Sequence, residues 1–145
     1  MPSDEAGVLD LLRKVARSLE GAVEVRVGVE LLTGYVGDGG NPGSGMFKLG
    51  RNVGAILASL HAVGLPFEMI SPSVWQRSVG IEPRRKEGRK TVESRTEFKR
   101  RIKSIAIELF PDLGEVTLKT ADALLIAEHM RRTCRPCETS TRARP

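Results

Sequence analysis

The feature that most constrains the fold is the alternation over residues 23–31. Val23, Val25, Val27, Val29 and Leu31 occupy every second position, with Glu24, Arg26, Gly28 and Glu30 between them. A period of two places the aliphatic side chains on one side of a β-strand and the polar ones on the other. The next long apolar series has a different period. Met46, Leu49, Val53, Ile56, Leu60 and Val63 recur at spacings of three and four, which predicts a helix over residues 44–63, stopped by Gly64 and Pro66. Gly50 and Gly54 lie one turn apart on that helix, a spacing that would permit close packing against a sheet or a second helix.

The remaining elements follow the same logic. Val8, Leu12, Val15 and Leu19 mark one face of an amphipathic helix that Ser3 or Asp4 could cap. Residues 67–70 read as a short strand. Ser71-Pro72 then supplies an N-cap and a first helical position for a short helix through Trp75, the single tryptophan, which is expected in the core. Residues 82–92 show no periodicity and read as a basic loop. Ser94-Arg95-Thr96-Glu97 has the form of a capping box. It opens a helix whose buried face is Phe98, Ile102, Ile105 and Leu109, with Lys99, Arg100, Arg101 and Lys103 off that face and Pro111 ending it. Residues 113–118 form a linker, and a last helix is expected over about residues 117–132. The order helix, strand, helix, strand, helices indicates an α/β fold. One domain is expected over residues 1–133, and residues 134–145, rich in Cys, Arg, Pro, Ser and Thr, are expected to be a disordered tail.

Charge narrows the functional classes. Residues 84–103 carry ten Lys or Arg and three Glu, a local net of +7, whereas the chain as a whole is only +5. One region therefore supplies the whole positive excess, a pattern that attracts phosphate backbones and makes binding salt-sensitive. No apolar run approaches the roughly 18 residues that a membrane span requires, so no membrane partner is expected. The acidic first ten residues lack the form of a signal peptide, and a cytoplasmic address is the default. The glycines of residues 34–45 fit neither a dinucleotide-binding Gly-x-Gly-x-x-Gly, because Pro42 sits at the third glycine, nor a P-loop. Cys134 and Cys137 form a lone Cys-x-x-Cys without the second ligand pair of a structural zinc site.

Two acids stand apart. Asp122 falls in the small-residue first turn of the otherwise apolar Ala121-Asp122-Ala123-Leu124-Leu125-Ile126-Ala127-Glu128. A carboxylate there needs a partner, since burying an unpaired charge is costly. Glu30 closes the alternating strand. Two carboxylates on separate elements, next to a basic block, suggest metal-dependent chemistry on a polyanion.

Three segments taken in order resemble the RuvC-like Holliday junction resolvases of the short phage and bacterial branch. They are Val27-Gly28-Val29-Glu30 with the Gly-rich loop and Ser44-Gly45-Met46-Phe47-Lys48-Leu49-Gly50-Arg51-Asn52-Val53-Gly54-Ala55; Ile70-Ser71-Pro72-Ser73-Val74-Trp75; and Ala106-Ile107-Glu108-Leu109-Phe110-Pro111 with the Asp122 block. The resemblance implies a ribonuclease H-like (RuvC-type) mixed sheet flanked by helices. It also implies a homodimer and endonucleolytic cleavage of four-way or branched DNA. A carboxylate cluster holding Mg²⁺ or Mn²⁺ would perform the cleavage. By the same resemblance Glu30 and Asp122 are the catalytic, metal-binding carboxylates. Lys48 and Arg51 are placed near DNA, and the basic residues Arg84, Arg85, Lys86, Arg89 and Lys90 complete the expected DNA-binding set.

The family opens with a strand that bears an Asp-Pro-Gly-type motif, and no segment here matches it. Asp4 and Asp10 fall on the first helix, and Lys119 stands where a further ligand often precedes the final Asp. The chain is therefore expected to be N-terminally shortened relative to the family, and inactive cleavage in this form is one expectation. The alternatives are a non-catalytic DNA-binding dimer that keeps the basic surface, and an α/β scaffold whose basic block recruits an acidic protein.

Overall fold

In the computed structural model, residues 4–22, 24–32, 43–88 and 90–133 are described. Among them the chain is mixed α/β, with helices, one parallel strand pair and one antiparallel hairpin. It divides into two compact units, one ending at Ile70 and one beginning at Ser71. The Gly-rich stretch ahead of Gly43, Arg89, and the Cys134–Cys137 tail lie outside the described residues.

The first unit is a helix followed by a β-α-β crossover. Helix α1 (Glu5–Ser18) starts on Asp4, whose carboxylate accepts the Gly7 N–H at 2.7 Å. This is the cap expected of an Asp at that position, with Glu5 adding negative charge to the first turn. Strands β1 (Val27–Glu30) and β2 (Phe67–Ile70) pair in parallel, from Val27 opposite Phe67 to Glu30 opposite Ile70. Parallel strands cannot be joined by a tight turn, and helix α2 (Gly43–Ala62) provides the crossover. It ends in a Schellman motif. Gly64, at φ +71°, donates to the His61 carbonyl, and the Leu65 N–H reaches back to the Leu60 carbonyl, both at 3.1 Å.

Two expectations shift in this unit. The alternating segment is longer than the ladder it forms, because β2 offers only four residues, which pair with Val27–Glu30. All four β1 residues are also half-buried, so the two sides of the strand are covered about equally instead of one being dry. A Cβ placed on Gly50 or Gly54 would meet nothing within 4 Å, so neither glycine is required by a close helix approach. His61 is exposed on α2, as expected of a surface helix residue, and its ring meets that of Phe67 edge-on at 5.0 Å.

The second unit holds most of the buried apolar side chains. Helix α3 (Pro72–Ser78) runs one turn beyond Trp75, and α4 (Arg95–Leu109) and α5 (Ala121–Thr133) follow. Trp75, Val79, Ile81, Ile102, Ala106, Val116, Ala121, Leu125, Ile126 and Met130 are buried, and α5 packs against both α3 and α4. Trp75 is thus a core residue. The capping box forms as its sequence requires. Ser94 Oγ accepts the Glu97 N–H at 3.2 Å and Glu97 accepts the Ser94 N–H at 2.8 Å. The Ser94 contacts hold the Glu97 carboxyl below its ordinary range.

The basic loop expected over residues 82–92 contains regular structure. Strands β3 (Lys86–Glu87) and β4 (Lys90–Thr91) form an antiparallel hairpin, with Gly88, in the turn that follows β3, at φ +60°. A positive φ at that turn position suits glycine and matches the twist of the strands. Helix α5 starts at Ala121, later than its apolar pattern suggests. Thr117 and Thr120 make side-chain hydrogen bonds to nearby backbone N–H groups and to one another, from 3.0 to 3.2 Å. Threonines that bond locally in this way compete with helix formation and hold a turn ahead of the helix.

Candidate nucleic-acid interface and acidic site

Asp122 is the second residue of α5, which places its carboxylate in the electropositive first turn. Its side chain is 21% exposed. One oxygen, Oδ2, is paired with Nζ of Lys99 from α4; the other, Oδ1, is buried with no hydrogen-bond partner. The need for a partner inferred from the sequence is therefore half met, and by a lysine expected to point away from the helix's buried face. The orphaned Oδ1 is a hard, anionic donor of the kind a divalent cation accepts. Among the described residues no three His, Cys, Asp or Glu side chains cluster as a metal site. A cation at Asp122 would compete with Lys99 for the same carboxylate.

Glu30 is the last residue of β1, half-buried and opposite Ile70 in the ladder. The Leu31 N–H continues that ladder to the Ile70 carbonyl at 2.8 Å, which fixes the backbone on the far side of Glu30. Glu30 belongs to the first unit and Asp122 to the second. On α2, Lys48 is exposed, and Arg51 forms an ion pair at 2.7 Å with Glu5 of α1 across the face the two helices share. Both side chains of that pair are more than half exposed, so its energetic weight is small.

The basic segment is organised around an acid that sequence reasoning did not single out. Glu93 follows β4, and its side chain is 1% exposed. Arg101 of α4 grips it with two donors: Nε to Oε1 at 3.0 Å and Nη2 to Oε2 at 2.9 Å. The Arg85 N–H adds a third hydrogen bond at 3.0 Å. Arg101 holds the Glu93 carboxyl at about 2, well below its ordinary 4.5, against the opposing effect of burial and with help from the Arg85 N–H. The same guanidinium donates to the carbonyls of Glu82 and Pro83 at 3.1 to 3.3 Å and lies 5.0 Å from the centre of the Phe98 ring. Arg101 is thus engaged in full, and its pKa is raised by the Glu93 contact.

The cations beyond this anchor face outward. Lys86 and Lys90 are exposed, Arg84 is half-buried, and the Arg85 side chain is 74% exposed with its guanidinium only 4.0 Å from Glu93. Of the expected DNA-contacting residues, Lys86 and Lys90 lie on the hairpin and Arg84 and Arg85 just ahead of it, while Lys99 and Arg101, placed off the buried face of α4 by its period, are committed to carboxylates.

A third buried acid is structural. Glu128 accepts from Arg131 at 2.7 and 2.8 Å and from Arg132 at 2.7 Å, and these guanidinium contacts, Arg131 first, hold its carboxyl at about 2. Arg132 also donates to the Ser78 carbonyl at 2.8 Å, and Ser78 Oγ lies 2.6 Å from His129 Nδ1. These contacts tie the end of α3 to α5. The i, i+3 and i, i+4 spacing of Glu128 to the arginines was readable in the sequence; the spacings of Glu93 to Arg101 and of Lys99 to Asp122 correspond to no local periodicity.

Compared with known proteins, the chain matches no family model and no curated protein. No helix among the described residues is long and apolar enough to cross a membrane.

Proposed function

We propose that the protein is a metal-dependent endonuclease of branched DNA with a RuvC-type, ribonuclease H-like architecture, acting on four-way junctions as a homodimer. The observation that carries this reading is Asp122: a largely buried carboxylate at a helix start, one oxygen without a protein partner, on the same unit as the +7 basic segment. The parallel β-α-β crossover that ends strand β1 on Glu30 is compatible with the same architecture. In this reading Asp122 and Glu30 are each metal-binding carboxylates for Mg²⁺ or Mn²⁺. The cation would activate a water and stabilise the leaving oxygen of the phosphodiester. Lys48 and Arg51 on α2, with Arg84, Arg85, Lys86, Arg89 and Lys90, contact DNA phosphates.

The test is cleavage of a labelled four-way junction with Mg²⁺ or Mn²⁺. Activity that Asp122→Asn and Glu30→Gln each abolish, with junction binding retained, supports the nuclease. Cleavage that survives both substitutions removes it.

A second reading, a DNA-binding dimer without catalysis, is favoured by one observation: Lys99 already neutralises Asp122. It requires salt-dependent junction binding with no cleavage at any Mg²⁺ or Mn²⁺ concentration.

A further inference from the structure

The β3–β4 hairpin is too short to be held by its own ladder, which pairs only Lys86 with Thr91 and Glu87 with Lys90. Isolated two-stranded hairpins are marginal in water, and this one carries three exposed cations, Arg85, Lys86 and Lys90, that repel one another. Its base, however, is clamped on both limbs. The Val92 and Glu93 N–H groups donate to the Arg85 carbonyl at 3.1 and 3.3 Å, and the Arg85 N–H returns to the Glu93 carboxylate. Arg101 holds that carboxylate and the carbonyls of Glu82 and Pro83 with one guanidinium. The entering limb, the leaving limb and α4 are therefore joined through a single buried acid.

We infer that the β3–β4 hairpin is a pre-set finger that lays its cations along the phosphate backbone of a nucleic-acid duplex, and that Glu93 is the residue that positions it. This rests on the proposed DNA-binding function and adds to it the geometry and the residue that fixes it. A two-stranded ribbon is narrow enough to follow a duplex groove. The finger's exposed charged positions are filled by Arg, Lys and one Glu, a composition suited to phosphates, so its binding is independent of base sequence.

A finger held in place loses less freedom on binding than a loose basic loop does. This gives a prediction opposite in sign to simple electrostatics. Glu93→Gln removes a negative charge from a basic region, which should strengthen binding to a polyanion. If Glu93 positions the finger, binding weakens instead, because neutral Gln cannot keep the two-pronged grip of Arg101 and the hairpin loses its base.

The experiment measures binding of the full chain to a short blunt duplex and to a four-way junction by fluorescence anisotropy, across a salt series in EDTA so that cleavage does not interfere. Glu93→Gln should bind about tenfold more weakly at low salt, with a salt slope reduced by about two, the loss of roughly two phosphate contacts. Glu87→Gln, which neutralises an exposed acid on the hairpin itself, should bind as tightly as the parent or tighter. Arg101→Lys keeps the charge but not the fork geometry; it should reproduce the Glu93→Gln loss, and it carries the test if Glu93→Gln does not fold by circular dichroism. Lys86→Gln with Lys90→Gln, both at exposed positions, should also lower the slope by about two.

A parent chain that binds neither DNA would overturn the DNA-binding function itself. A parent that binds with a steep salt slope, while Glu93→Gln and Arg101→Lys match it or bind more tightly, overturns the positioning role alone. Tighter binding to polyglutamate than to the duplex would make the partner an acidic protein and reject the nucleic-acid assignment of the finger.

Discussion

The Lys99–Asp122 pair is asymmetric, and its two halves should respond differently to removal. Lys99 is 45% exposed and Asp122 21%. In Lys99→Met the carboxylate keeps its charge and its buried, unpartnered Oδ1 and loses the Lys99 partner of Oδ2. Leaving a buried acceptor unsatisfied costs about 1–3 kcal/mol, more for a charged one. In Asp122→Asn the freed ammonium is nearly half in water already, and an exposed pair contributes about 0–1 kcal/mol. The lost interaction with the α5 N-terminus adds about 0.3–1 kcal/mol, offset by relief of the orphaned charge. Lys99→Met should therefore be less stable than Asp122→Asn by about 1 kcal/mol, roughly 3–5 °C in midpoint for a chain of this size. Urea and thermal unfolding at neutral pH would measure the difference. Mg²⁺ provides the second arm: a cation that binds only the folded state raises its stability, so Mg²⁺ should raise the midpoint of Lys99→Met more than that of the parent, and should leave Asp122→Asn unmoved. Equal destabilisation by both substitutions, or a Mg²⁺ shift that persists in Asp122→Asn, would refute the reasoning.

Acid should destabilise the protein through Glu93 and Glu128. Both carboxyls are held at about 2 in the folded chain against an ordinary 4.5, so the stability they supply is complete above pH 4.5 and is lost as pH falls toward 2. Unfolding in that window should take up close to two protons from these groups, and Glu93→Gln with Glu128→Gln should flatten the dependence of the midpoint on pH. Ser94→Ala removes half of the capping box and should cost about 1 kcal/mol in urea unfolding; a larger loss would mean that Ser94 does more than cap. Leu125→Ala empties a site with no exposure and should cost about 2–5 kcal/mol, whereas Phe47→Ala, at 71% exposure, should stay within about 0.5 kcal/mol of the parent.

The sequence alone determined features that depend on neighbours along the chain. The Asp4 and Ser94 caps, the Gly64 stop, the period of α2 and the strand at β2 are properties of a few consecutive residues, and local hydrogen bonding or periodicity is enough to read them. Asp122 was also legible as a carboxylate in need of a partner, because an acid in an apolar first turn is conspicuous. Tertiary structure decided what those residues meet. Lys99 and Asp122 are 23 positions apart, and Glu93 and Arg101 are separated by a helix start, so no window along the chain pairs them. Helical period placed Lys99 and Arg101 off the buried face of α4; packing of α4 against α5 and return of the hairpin onto α4 drew both to carboxylates. Residues 84–91 differ for a related reason. Their charges were plain in the sequence, but their hairpin is held from its base, by a buried glutamate whose partner only the folded chain supplies.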